Sequence, residues 1–306
     1  MKKILFIIYI FCFINFEVTA QQLPQFSQYM FNTIAINPAY AGTRENITIS
    51  LMNRNQWVGV NGAPVTSTLA VDTSIPGSKI GLGLSMINDQ LGFENTTFLF
   101  ADMSYTIRLN HEYILSLGVK AGASVYSLDD EIYLDPSAST DTFLDRVNTN
   151  WKPNFGMGIY LRNEDDNWFL GVSSPRLIEY NNIASDQFLA IERSSYYLHG
   201  GLMLKFNPKL TLKPTFQLKY VNGAPVSIDA TANFLLNENL WLGASYRFGD
   251  AIGGYINFKL WEELNVGYTY EFITSSIGPY TSGSHEIFLS FRFDLPRSWC
   301  GCANPF

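Results

Sequence analysis

Apolar and polar residues alternate along most of the chain in segments separated by turn residues. From Leu264 to Phe272, for example, apolar side chains alternate with polar or small ones such as Thr269 and Glu271. Because successive side chains of a strand point to opposite faces, a period of two predicts β-strands with one apolar and one polar face. The pattern predicts fourteen strands, at 46–54, 64–73, 79–88, 96–109, 113–127, 153–162, 168–174, 194–206, 210–222, 226–236, 240–249, 252–261, 264–274 and 284–294.

Short and long connections between these strands follow a regular order along the chain. Those after even-numbered strands are short turns, whereas the long ones, at 55–63, 128–152, 175–193 and 275–283, all follow odd-numbered strands. Two odd connections, 223–225 and 250–251, are also short. Outer-membrane barrels have short periplasmic turns and long external loops, so both termini are expected in the periplasm. The predicted fold is all-β, a transmembrane antiparallel β-barrel of about 14 strands. Twelve or sixteen strands, or a soluble β-domain, are the alternatives.

The first twenty residues have the features of a secretory signal peptide. Lys2 and Lys3 precede an almost unbroken apolar run over residues 4–16, and small or β-branched residues precede Gln21. A membrane anchor is the alternative, but an apolar run of about 13 residues is shorter than the ~20 that a spanning helix needs. We therefore expect cleavage after Ala20 and export to the cell outer membrane.

Residues 21–45 combine amide-rich polar positions with an aromatic cluster. Aromatic side chains carry large apolar surfaces and are common anchors of protein interfaces. We therefore predict that Phe26, Tyr29 and Phe31 bind either the periplasmic mouth of the barrel, as a plug, or a second protein. A mobile linker is the alternative. The predicted organisation is 1–20 signal peptide, 21–45 N-terminal periplasmic or plug segment, 46–294 β-barrel and 295–306 C-terminal tail.

The composition is unusual for a protein surrounded by water. Aromatic residues make up 15% of the chain and charged residues also 15%, whereas charged residues are about 25% of an ordinary globular domain. The formal charge of −7 leaves no basic excess to neutralise phosphates. We therefore exclude nucleic acid as a partner and expect outer-membrane lipid to contact the apolar faces of the strands.

Many charged residues fall on the polar faces of the predicted strands. This places them in the lumen, because a charge against lipid is costly. We expect Arg247, Glu271 and Arg292 to face the lumen, and along the sequence no ring of one sign is visible. The full set is Arg54, Asp72, Asp102, Arg108, Lys120, Arg162, Lys213, Lys219, Asp229, Arg247, Lys259, Glu271 and Arg292.

No motif in the sequence predicts an enzyme, a cofactor site or a metal site. The chain contains no nucleophile elbow, phosphate loop or dinucleotide fingerprint. His111, His199 and His285 are far apart in sequence, and a metal site would need more ligands than Cys300 and Cys302 supply. A disulfide is the expected state of this Cys-Gly-Cys pair in an oxidising periplasm.

Several motifs resemble those of the PorP/SprF family. They are residues 25–32 (QFSQYMFN), 37–42 (NPAYAG), 54–57 (RNQW) and 62–64 (GAP). The resemblance runs from the signal peptide through the last predicted strand. Members of this family are outer-membrane barrels of the type IX secretion system.

The resemblance implies a non-enzymatic component that assists the secretion or surface attachment of large secreted proteins, such as the adhesins of gliding motility. It also implies partners, namely the cargo protein, periplasmic ring proteins and a lipoprotein of the same machinery. An outer-membrane solute or fatty-acid channel is the alternative function. A channel needs a continuous pore, whereas the secretion role is compatible with a blocked or narrow lumen.

Overall fold

The computed structural model describes residues 25–44, 46–129, 150–184 and 187–294. The predicted signal peptide and the C-terminal tail, with Cys300 and Cys302, lie outside these ranges. Short 3-10 turns occur at Thr33–Ala35, Pro38–Tyr40 and Gly278–Tyr280. The strands are β1 (Ile47–Asn55), β2 (Val65–Ser74), β3 (Ile80–Leu91), β4 (Glu94–Arg108), β5 (Tyr113–Leu128), β6 (Lys152–Asn163), β7 (Trp168–Arg176), β8 (Tyr180–Ala184), β9 (Gln187–Glu192), β10 (Ser195–Leu202), β11 (Leu204–Asn207), β12 (Leu210–Val221), β13 (Ser227–Leu236), β14 (Leu240–Arg247), β15 (Ala251–Lys259), β16 (Leu264–Ile273) and β17 (Ser284–Phe293).

Within the described residues, the strands form one closed antiparallel barrel. β1 pairs with β17, and β10 pairs with both β7 and β12, so the sheet closes on itself. β10 and β11 are two parts of one barrel strand interrupted at Met203, which gives fourteen barrel strands in the described chain. β8 and β9 form a separate hairpin in the loop between β7 and β10. The predicted fourteen-stranded barrel is confirmed, and the strand bounds agree with the prediction to within three residues.

The two faces of the barrel wall have opposite polarity. On β17 the outward side chain of Ile287 is 51% exposed, whereas its neighbour Glu286 is fully buried. On β3, Leu84 and Met86 point outward and Ser85 between them is buried. An apolar outer face around a polar interior is the arrangement of a barrel whose wall contacts lipid. In the described chain, no helix is long and apolar enough to cross a membrane.

The two ends of the barrel differ in their connections. At the short-turn end, the connections are 75–79, 109–112, 164–167, 208–209, 237–239 and 260–263. The long-loop end carries 56–64, 129–151, 177–194 and 274–283. The connection between β3 and β4 also lies at this end, and it is shorter than predicted. Both strands extend to a two-residue turn at 92–93, where Gly92 has a φ of 59° that favours glycine.

Candidate functional site

Residues 25–44, here called the N-terminal segment, lie inside the ring of strands. Gln25 Nε2 donates a hydrogen bond to Ser227 Oγ on β13 (2.6 Å). Ser104 Oγ on β4 donates to the carbonyl oxygen of Ala41 (2.6 Å). β4 and β13 lie on nearly opposite sides of the ring. Ser227 is the first residue of β13, at the long-loop end, and Ser104 lies near the short-turn end of β4, so the segment crosses the interior between the two ends.

The Asn-Pro pair of the N-terminal segment forms a capped turn. Asn37 precedes the 3-10 turn Pro38–Tyr40, and its Oδ1 accepts a hydrogen bond from the amide of Ala39 (3.0 Å). Its Nδ2 donates to the carbonyl oxygen of Ile159 on β6 (3.1 Å) and lies 3.2 Å from Nε2 of His199 on β10. Asn satisfies free amides at the start of a turn, and Pro lacks an amide where none is needed. The buried Asn37 therefore joins this turn to two strands of the wall.

Inward-facing glycines of the wall make room for the N-terminal segment. A Cβ atom on Gly118 of β5 would lie under 3.0 Å from backbone atoms of Ala39, and one on Gly158 of β6 would clash with the Asn37 side chain. Carbon atoms in contact are normally about 3.5–4.0 Å apart. A larger side chain at these positions would therefore displace the segment. Cβ atoms on Gly81 and Gly83 of β3 would meet Ala41 and Ile34, and one on Gly171 of β7 would meet the Asn37 side chain.

The structure places Phe26, Tyr29 and Phe31 against the barrel interior. Phe26 and Tyr29 are 4% and 3% exposed, and they belong to one apolar cluster against which Phe31 packs. The Tyr29 hydroxyl lies 2.8 Å from Thr215 Oγ1 on β12. Burial raises the pKa of the Tyr29 hydroxyl, so it stays protonated in this position. The Phe31 ring centroid lies 5.6 Å from that of Phe288, an inward-facing aromatic on β17.

Arg54 on β1 links the barrel wall to the start of the N-terminal segment. Its guanidinium lies 2.5 Å from Glu271 Oε2 on β16 and 3.2 Å from Glu286 Oε2 on β17, and it also donates to Ser27 Oγ. Glu286 accepts hydrogen bonds from the amides of Ser27 (3.0 Å) and Gln28 (2.9 Å). The three charged side chains are at most 2% exposed. Buried charges need such pairing, so this cluster holds the segment to three strands.

Three further buried ion pairs face the interior. Arg247 Nε on β14 lies 2.7 Å from Asp229 Oδ1 on β13, and its Nη2 lies 3.5 Å from Glu271 Oε1. Lys120 Nζ on β5 lies 2.7 Å from Asp102 Oδ1 on β4. The Arg247–Asp229 and Lys120–Asp102 pairs join neighbouring strands, and the Arg247–Glu271 pair joins β14 to β16 across β15. The buried members of the set predicted to face the lumen are Arg54, Asp72, Asp102, Lys120, Lys219, Asp229, Arg247 and Glu271.

The other five members of that set lie at the short-turn end, and all five are cations. Arg292, one of the three residues singled out from the sequence, is among them and is exposed. Lys79 lies at the same end, in the turn before β3. These cations come together only once the barrel closes, and acidic residues lie at the same end, in the turns 109–112, 164–167, 237–239 and 260–263 and at Asp294. The six cations are Lys79, Arg108, Arg162, Lys213, Lys259 and Arg292.

His199 is an interior residue whose contacts the sequence did not predict. It is 1% exposed, and its ring lies 6.0 Å from that of Tyr160 and 6.1 Å from that of Phe169. On β10 it alternates with Tyr196 and Leu198, which point outward, so the period of two would have placed His199 on the inner face. Among the described residues, no group of three His, Cys, Asp or Glu side chains is arranged to bind a metal ion.

Comparison with solved structures relates the fold to outer-membrane barrels. The Ralstonia pickettii toluene transporter TbuX has a TM-score of 0.52 and 9% identity, covering 89% of this chain and 94% of its own. The monoaromatic hydrocarbon channel CymD has a TM-score of 0.51 and 12% identity, with the same coverage of 89% and 94%. The Pseudomonas putida toluene transporter TodX has a TM-score of 0.50 and 11% identity, over 86% and 93%. At identities this low, the similarity to these proteins concerns the fold alone.

Sequence comparison identifies the family. A comparison with curated proteins gave no significant match. The family model described as type IX secretion system membrane protein PorP/SprF matches residues 18–291. This match spans most of the chain, including the N-terminal segment and all but the end of β17. The chain therefore belongs to the PorP/SprF family of type IX secretion system membrane proteins.

Proposed function

We propose that this chain is a non-enzymatic outer-membrane component of the type IX secretion system. It assists the secretion or surface attachment of a large cognate protein, such as a gliding adhesin. Family membership supports the assignment to this system. Its partners are the cargo protein together with periplasmic ring proteins and lipoproteins of the same machinery. A cleavable signal peptide delivers the chain to the periplasm, from which it inserts into the outer membrane.

The observation that carries the proposal is the attachment of the N-terminal segment inside the barrel. Its start is bonded to Glu286, its middle to Ile159 through Asn37, and its end to Ser104. Each buried hydrogen bond contributes about 0.5–1.5 kcal/mol to stability. Bonds spread along the whole segment therefore hold it firmly to the barrel wall. We infer that the segment closes the lumen of the resting protein. The barrel then serves as a scaffold for other proteins and not as an open pore.

Phe26, Tyr29 and Phe31 anchor this segment to the barrel's own interior in our proposal. The ring contacts of Phe31 with Phe288 and the burial of the other two support this role over direct docking on a second protein. Truncation of a buried Phe to Ala costs about 3–5 kcal/mol. Loss of all three rings should therefore release the segment while leaving every ladder hydrogen bond of the barrel in place.

The test is the simultaneous replacement of Phe26, Tyr29 and Phe31 by alanine in the full chain. The variant should reach the outer membrane at wild-type abundance and migrate on gels with the heat dependence of a folded barrel. Release of the cognate secreted protein, measured in the medium and at the cell surface, should fall to background. Normal secretion at wild-type abundance of the variant would show that the segment has no role in it.

A matched control removes the same number of rings from the outer face. Phe234, Tyr246 and Phe258 are outward aromatics, 41%, 43% and 45% exposed, that lie on β13, β14 and β15. Their replacement by alanine should leave secretion intact once the protein is inserted. An equal secretion defect in both triple variants would indicate a general loss of barrel stability.

A solute channel is the second candidate function. One observation favours it, namely a small apolar pocket inside the barrel lined by Phe26, Phe98, Phe100 and Tyr197. A channel predicts conductance or solute flux through the purified wild-type protein in lipid bilayers without partners. The scaffold proposal predicts no steady conductance from wild type and conductance from the triple alanine variant of the N-terminal segment.

A further inference from the structure

The N-terminal segment has a fixed direction inside the barrel. Its contacts begin at the long-loop end, where Gln25 Nε2 donates to Ser227 Oγ (2.6 Å) and to Asp229 Oδ2 (3.2 Å), on the first and third residues of β13. They end at the short-turn end, where a Cβ atom on Gly42 would lie 2.5 Å from the Cα atom of Gly81, the second residue of β3. The segment therefore runs from the long loops toward the short turns as the residue number rises.

Intermediate contacts follow the same order along the barrel. The amide of Ser27 donates to Glu286 (3.0 Å), the third residue of β17, which begins at the long-loop end. Further along the segment, the Tyr29 hydroxyl reaches the middle of β12. The carbonyl oxygen of Ala41 then accepts from Ser104, which lies in the half of β4 nearer the short turns. These contacts describe a single pass through the lumen.

The first and last strands of the barrel meet at the end opposite to Gln25. β1 begins with Ile47, which pairs with Phe293, the last residue of β17. Both residues lie at the short-turn end. The expectation that both chain ends lie there agrees with these two strand ends, whereas Gln25 lies at the other end of the lumen. The sequence pattern did not indicate this, because the connection lengths report only the strands.

The few residues ahead of Gln25 are too short to return to the short-turn end. Residues 21–24 separate Gln25 from the predicted cleavage site, and four residues of fully extended chain cover at most about 14 Å. β13 has ten residues, which span about 21–25 Å along the barrel axis at the usual strand rise and tilt. The way back is also filled, since the Arg54 and Glu286 side chains beside Ser27 are 1% and 0% exposed.

We propose that the chain presents its amino end at the long-loop mouth, on the opposite side of the membrane from the end of β17. The long loops of outer-membrane barrels are external, so this end faces the cell exterior. A protein outside the cell can therefore contact the start of the N-terminal segment without entering the lumen. The other end of the segment is continuous with β1 at the short-turn end. This inference does not depend on the secretion role.

Distances between spin labels on the purified full chain test the position of the amino end. All variants carry serine in place of the three native cysteines. One label is placed at Gln22→Cys and the second at Val226→Cys or Glu238→Cys, which flank β13 at its long-loop and short-turn ends. Double electron-electron resonance should give the shorter distance to Val226, by about 10 Å or more, because a ten-residue strand is about 30 Å long. Asp294→Cys is the matched control, since it follows β17 at the short-turn end and should give the opposite order.

Labelling of intact cells with an impermeant maleimide tests whether the amino end is open to the exterior. Gln22→Cys should react like Tyr280→Cys, a long-loop position that is 76% exposed. Asp294→Cys should stay unlabelled, like Lys209→Cys in a short turn.

Three results would overturn the proposal. Equal spin-label distances from Gln22→Cys to the two ends of β13, or the order given by Asp294→Cys, would show that the segment has a different direction. Protection of Gln22→Cys on cells in which Tyr280→Cys is labelled would show that the amino end is closed to the exterior. Labelling of Gln22→Cys and Asp294→Cys together would contradict the separation of the two chain ends.

Discussion

Replacement of Arg54 by leucine should destabilise the barrel and loosen the start of the N-terminal segment. Arg54 is 1% exposed and pairs with Glu271 and Glu286, and it donates to Ser27 of the segment. Without the guanidinium, two carboxylates remain buried close to each other. Their mutual repulsion and desolvation act on the same three strands that position Ser27.

The size of the effect follows from the geometry. For charge centres about 4 Å apart at an effective dielectric of about 20, each attraction is worth about 4 kcal/mol. Desolvation of the buried groups offsets much of this gain. Loss of one partner from a buried pair typically costs about 3–5 kcal/mol, because the other charge is left uncompensated. Glu271 keeps Arg247 at 3.5 Å, so we expect the lower end of this range, about 3 kcal/mol.

The assay is reversible urea unfolding in lipid vesicles, followed by tryptophan fluorescence. Arg108→Leu is the matched control, since Arg108 and Glu164 form an ion pair at 2.8 Å whose side chains are 68% and 43% exposed. Exposed pairs contribute about 0.2–1 kcal/mol, so this variant should lose little stability. Addition of Glu286→Gln to Arg54→Leu should restore part of the loss. Equal free energies of unfolding for Arg54→Leu and Arg108→Leu would refute the reasoning.

Other predictions test the barrel wall and its orientation. Gly118→Val places a side chain against the backbone of the N-terminal segment, so added protease should cleave the segment faster than in wild type while the barrel stays intact. Val119→Arg puts a charge on the outer face in the middle of β5 and should cost about 2–4 kcal/mol in vesicle unfolding, whereas Val119→Leu should cost almost nothing. A cysteine at Tyr280, in a long loop, should react with an impermeant reagent on intact cells, and one at Lys209, in a short turn, should not. Labelling of both positions would contradict the assigned orientation.

The strands and their faces could be predicted from the sequence because alternation is a local property. The residues on either side of Glu271 and of Ile287 are enough to assign the first side chain to the inner face and the second to the outer face. The structure agrees with both assignments on β16 and β17. The loop asymmetry was also readable, since it depends only on connection length. The family resemblance was visible in short motifs, two of them in the N-terminal segment, where Asn37 caps a turn and Gly42 has a φ of 65° that favours glycine.

The tertiary structure decided everything that depends on which strands meet. β1 and β17 are far apart in sequence, so the contact of Arg54 with Glu286 exists only when the barrel closes. The same holds for the place of the N-terminal segment, whose aromatic cluster allowed two docking sites from sequence alone. Closure also brought Lys213 of β12 and Arg292 of β17 to the same end of the barrel, which no local pattern reports. Alternation determines the face of each side chain, but closure and register determine its neighbours, because those pairings are long-range.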